Sequence, residues 1–77
     1  MASELTQEEL VERAKQYLKE TYGEDTLRMD VIENTVSEGT GRLSVSCTVS
    51  WRGHQSNWHK VFYFEGGRVA NMSARQV

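Results

Sequence analysis

At 77 residues the chain has room for one domain with one modest core; its 9 Lys and Arg against 11 Asp and Glu leave a formal net charge of -2. That balance gives no global attraction to nucleic acid or to anionic lipid, and the single cysteine, Cys47, excludes an intramolecular disulfide framework. No stretch approaches the ~20 apolar residues of a membrane span, and the acidic, polar start lacks the basic and apolar run of a secretion signal, so a cytoplasmic location is expected.

In chain order, Thr6-Gln7-Glu8-Glu9 has the form of a capping box, with Leu5 and Leu10 spaced for a hydrophobic staple. Leu10, Ala14, Tyr17 and Leu18 then recur at helical spacing, and Gly23 suits the left-handed position after the last turn. The pattern predicts a helix from Gln7 to Tyr22 with one buried face. Leu27, Met29 and Val31 alternate with Arg28 and Asp30 as a first strand, and the slip in phase at Val31-Ile32 fits either a bulge or an edge strand apolar on both sides. Ser37 to Gly41 has turn composition.

Leu43 to Trp51 is the clearest strand of the chain. Leu43, Val45, Cys47, Val49 and Trp51 lie on one face, and Ser44, Ser46, Thr48 and Ser50 on the other. Cys47 in that apolar stripe reads as a small buried hydrophobe rather than a reactive thiol. Arg52 to Asn57 is expected as a polar loop, Trp58 to Phe64 as a third strand, Gly66-Gly67 as a tight hairpin turn, and Arg68 to about Arg75 as the last strand. The predicted fold is α+β: one N-terminal helix packed on a four-stranded antiparallel meander, α-β-β-β-β. That order resembles cystatin-like and related helix-on-sheet folds, without a motif that names a family.

The last hairpin contains a conflict. With an unbroken ladder from Gly66-Gly67, Phe64 pairs with Val69, Phe62 with Asn71 and Lys60 with Ser73. One face then carries Trp58, Lys60, Phe62, Phe64, Val69, Asn71, Ser73 and Arg75. The other carries His59, Val61, Tyr63, Ala70, Met72 and Ala74. The fourth strand prefers the second face as core, and the third strand prefers the first. The reading adopted puts the second face under the helix and leaves Trp58, Phe62 and Phe64 exposed, with Lys60 and Arg75 at the rim. The alternative is a bulge in the third strand that turns the aromatics inward.

An exposed aromatic face of that kind marks an interaction surface. The expected function is therefore a non-enzymatic protein-interaction module of accessory, adaptor or inhibitor type, associating with another protein or with itself as a homodimer. Trp58, Phe62, Phe64, Lys60 and Arg75 are its binding residues. Single-stranded nucleic-acid binding on the same aromatic and basic face is the alternative. No cofactor is expected. His54, His59 and Cys47 do not have zinc-site spacing, and Cys47, His59 and Asp30 show no spacing that implies a nucleophilic triad.

Overall fold

The helix begins where its sequence says it should. In the computed structural model, which describes residues 5–77, Thr6 caps α1 (Gln7–Tyr22): its hydroxyl accepts from the Glu9 backbone N–H, and the Glu9 carboxylate accepts from the Thr6 backbone N–H. The Thr6 N–H, lying on this carboxylate, lowers the Glu9 pKa below the ordinary value. Gly23, at φ 72°, ends the helix in the left-handed conformation and donates its N–H to the last turn.

Four strands follow: β1 (Asp25–Asn34), β2 (Gly41–Trp51), β3 (His54–Glu65) and β4 (Arg68–Gln76). They form one antiparallel sheet in the order β1-β2-β3-β4, so the α-β-β-β-β meander is the observed architecture. Leu10, Ala14 and Leu18 of α1 pack onto Leu43, Val45, Cys47 and Val49 of β2 and Phe62 and Phe64 of β3. This inner face is the core. The other face of the sheet has no covering element among the described residues.

Two-residue turns with both residues in the left-handed region close the hairpins, a geometry whose twist matches the flanking strands. Gly66-Gly67 is such a turn, as expected. Arg52-Gly53 is another, with Arg52 at φ 50°, and this corrects the expected loop: His54 to Asn57 belong to β3, and Trp51 pairs with His54. At the opposite end of the sheet, Gly39 is buried and its carbonyl accepts from Gly67 N–H at 2.9 Å. A Cβ on Gly39 would stand 2.7 Å from that nitrogen, so only glycine lets the two turns meet.

The register of β3 and β4 resolves the conflict in the last hairpin. Phe64 pairs with Val69, but Tyr63 then pairs with Asn71, Phe62 with Met72 and Lys60 with Ala74. Ala70 is therefore an extra residue, a bulge in β4 rather than in β3. The insertion flips every β4 side chain beyond it to the opposite face. Met72 joins Phe62 and Phe64 on the inner face, while Asn71, Ser73 and Arg75 move to the open face with Tyr63, Val61 and His59. The expectation that Phe62 and Phe64 lie exposed is thus overturned: Phe62 is 0% and Phe64 3% accessible. On β1, the slip at Val31-Ile32 is present as a register shift between Val31 and Glu33, and a second lies between Thr26 and Arg28.

Phe62 also meets the Tyr17 ring in a T-shaped contact, with centroids 6.3 Å apart and planes at 87°. Replacing Phe62 with Ser removes a fully buried ring and buries a hydroxyl in its place. The expected cost is about 3–5 kcal/mol, read as a lower urea midpoint with the slope unchanged. A variant as stable as the parent would show that Phe62 is not core.

Candidate functional site

The sheet outlasts the helix. Sixteen helical residues span about 24 Å, whereas the twelve of β3 extend about 40 Å. The helix starts over the Gly39 and Gly67 turns, where Leu5 lies 3.4 Å from a Cβ built on Gly67, and it ends above Lys60 and Trp58. Toward the Arg52-Gly53 turn the cover ends, and Trp51 and His54 at the tip are exposed. Along β3 the inward residues toward that end are Trp58, Ser56 and His54; beside them on β2, Cys47 and Val49 are still buried in the core and Trp51 is exposed.

The five residues expected to bind a partner do not lie together. Phe62 and Phe64 are core, as described. Lys60 is buried too, at 2% accessibility, which corrects its expected place at a rim. Arg75 is exposed, but on the open face, where its strand neighbour is His59. Trp58 alone stays near the expected surface: it is half-buried at the end of the helix, with its indole N–H donating to Ser56 Oγ at 2.8 Å.

Lys60 organises this boundary. Its Nζ lies 3.2 Å from Glu24 Oε1, 4.8 Å from the centroid of the Trp58 ring and 5.9 Å from that of Tyr22. Trp58 is on the strand, whereas Tyr22 and Glu24 flank the C-terminal end of α1, where the helix dipole favours a cation. Tyr22 in turn meets Tyr17 edge-on at 6.1 Å. Phe62, Tyr17, Tyr22, Lys60 and Trp58 thus form one continuous series of ring and cation contacts running from the core to the surface.

Beyond that series lies a group the sequence reading did not select. Trp51, expected on the buried stripe of β2, is 46% accessible because its position lies past the end of the helix. The Arg52 guanidinium sits 4.7 Å above the Trp51 ring. Tyr22, expected only as the helix end, is 45% accessible. The signal that could have found them is the Trp51-Arg52-Gly53-His54 string itself: read as a two-residue turn, it puts Trp51 at the tip of a hairpin.

The reactive residue types are kept apart. Cys47 is on the inner face at 3% accessibility, and burial pushes its thiol up despite the opposing charge of Lys60. His59 is on the open face, in a cross-strand row Asp30-Ser46-His59-Arg75. In that row the Asp30 carboxylate lies at 2.6 Å from Arg28, on the far side of Ser46 from the imidazole. A serine hydrolase needs the carboxylate on the histidine, so the row is not arranged as a relay. Among the described residues no three of His, Cys, Asp and Glu converge to hold a metal ion, and no helix is long and apolar enough to cross a membrane.

Removing one partner of the Lys60–Glu24 pair leaves the other partly buried without a counter-charge. Lys60→Met is expected to cost on the order of 3 kcal/mol, and Lys60→Met with Glu24→Gln much less, measured by chemical denaturation. A double variant that loses the sum of what Lys60→Met and Glu24→Gln each lose alone would show that the pair is not coupled. Comparison with protein-family models, with curated proteins and with solved structures gives no match, so the function of this surface rests on its own geometry.

Proposed function

We propose that the protein is a small non-enzymatic protein-interaction module that docks its partner on the helix-free end of the inner face. The observation that carries this reading is Trp51, a large aromatic ring held half-exposed at a hairpin tip under a stacked arginine. Tryptophan, tyrosine and arginine are the residue types that dominate binding energy at protein interfaces, because each buries a large area at low entropic cost. Here all three are present, and their supports are rigid. Trp51 stands next to a tight turn on the central strand pair, Trp58 is fixed by Ser56 and Lys60, and Tyr22 is braced by Tyr17. A partner meeting this surface finds side chains already ordered, so less freedom is lost on binding.

A second reading draws on the same observation. A tryptophan with an adjacent arginine is also a platform for stacking a base while neutralising a phosphate. The net charge of -2 and the carboxylates of Glu24 and Asp25 at this end favour the protein reading, since strand binding draws its affinity from phosphate neutralisation.

A photo-reactive amino acid placed at position 51 separates the two readings in cells that make the protein. The same probe at Gln16, on the exposed side of α1, is the control. The interaction reading expects discrete crosslinks to protein from position 51 and none of these from position 16. Crosslinks to RNA or DNA that weaken steeply with salt would establish the second reading instead. Identical products from both positions would contradict both readings.

A further inference from the structure

The two edges of the sheet are treated differently. β1 is interrupted by register shifts at Leu27 and Ile32, which break the regular row of backbone donors and acceptors that would otherwise template another strand. β4 has its bulge at Ala70, next to the turn, and runs without interruption from Asn71 to Gln76. It has no proline and only one charge in that stretch, Arg75.

Two hydrogen bonds fix which residues of this edge face outward. Val77 N–H donates to Asn57 carbonyl, in register with the β3–β4 ladder, at 2.9 Å. Met72 N–H does not serve the ladder: it donates to the Oδ1 of the neighbouring Asn71 at 2.9 Å. Antiparallel ladders alternate, so Asn71, Ser73 and Arg75 turn their backbone groups toward β3, and Met72, Ala74 and Gln76 turn theirs away. The Asn71 side chain occupies one of the outward donors. Among the described residues no strand lies beside the N–H groups of Ala74 and Gln76.

We infer that β4 is a self-association edge: two copies pair β4 antiparallel to β4 about a twofold axis through Ala74, joining the two sheets into one. Three features select a second copy as the occupant. First, the outward residues are self-complementary in phase, because this axis sets Ala74 against the partner's Ala74 and Met72 against the partner's Gln76, all of them outward-facing. Second, the residue on the axis is small and exposed, so the two side chains facing each other across the new pair do not crowd. Third, the only charge of the paired stretch meets no like charge, since Arg75 falls opposite the partner's Ser73 and is offset from the partner's Arg75. The Met72 N–H exchanges the Asn71 amide for the partner's Gln76 carbonyl. This edge lies apart from Trp51 and the hairpin tip, so the pairing leaves the proposed docking end open.

Sedimentation equilibrium up to millimolar concentration, with amide hydrogen exchange on the same samples, tests this. The apparent mass is expected to climb from 8.8 kDa toward twice that value, and exchange at Ala74 and Gln76 to slow as it climbs. Ala74→Lys, which brings two cations onto the axis, is expected to hold the chain as a monomer with an unchanged circular-dichroism spectrum. Ala74→Pro removes an outward N–H that β3 does not use, and is expected to do the same. A chain that stays monomeric throughout would overturn the proposal. So would a dimer that persists in Ala74→Lys with the backbone amide at position 74 still exchanging freely. Should the proline variant fail to fold, the lysine variant and the exchange data decide alone.

Discussion

One inserted residue sets the polarity of this sheet. Ala70 sits in β4 without a partner in β3, and everything beyond it is turned over relative to an unbroken ladder. Without the bulge, Phe62 and Phe64 would share a face with Asn71 and Ser73, and Met72 would share one with Val61 and Tyr63. A single short helix could not cover both sets of apolar groups. With the bulge, Val69, Phe64, Phe62 and Met72 lie on one side together, and α1 closes over them. The side chain at the bulge is small, as a residue pushed out of the ladder beside a tight turn should be.

Burial then sorts the chain's chemistry. The covered half of the inner face takes the apolar groups and Cys47. Lys60, the one charged side chain drawn fully inside among the described residues, comes to rest at the end of the helix, where a carboxylate, two aromatic faces and the negative end of the helix dipole all favour a cation. Past that point the helix stops and the strands continue. The exposed aromatic end is the direct consequence of a helix of about 24 Å on strands of about 40 Å. The same economy separates the edges. The side that begins at β1 is broken by two shifts, and the side that ends at β4 is straight where its backbone groups point outward.

Much of this was legible in the residues. The capping box, the helical spacing of Leu10, Ala14 and Leu18, the alternation of Leu43 to Val49, and the Gly66-Gly67 turn each depend on near neighbours, and each is where local physics puts it. The slip at Val31-Ile32 was visible for the same reason. What was not legible depends on relations between distant segments. The third and fourth strands gave opposite answers about the buried face, and the sequence reading resolved them with an unbroken ladder, keeping a bulge in the third strand as the alternative. The ladder is in fact broken, by a bulge in β4, so Phe62 and Phe64 are core and Arg75 lies on the opposite face. Trp51 was misread for a related reason. Its alternation correctly gives the inner face, but whether that position is covered depends on where the helix ends relative to it. Arg52 at positive φ hid the turn, since glycine or asparagine is the usual occupant of that position.

The claim on which the rest hangs is the bulged register, and nuclear magnetic resonance reads it directly. Facing Cα hydrogens in the non-hydrogen-bonded pairs of an antiparallel ladder lie close enough for strong dipolar contacts. The bulge at Ala70 predicts such contacts between Phe62 and Met72 and between Lys60 and Ala74. Contacts between Phe62 and Asn71 and between Lys60 and Ser73 would mean an unbroken ladder. The aromatics would then belong to the other face, and the core, the exposed aromatic end and the outward phase of β4 described here would all be wrong.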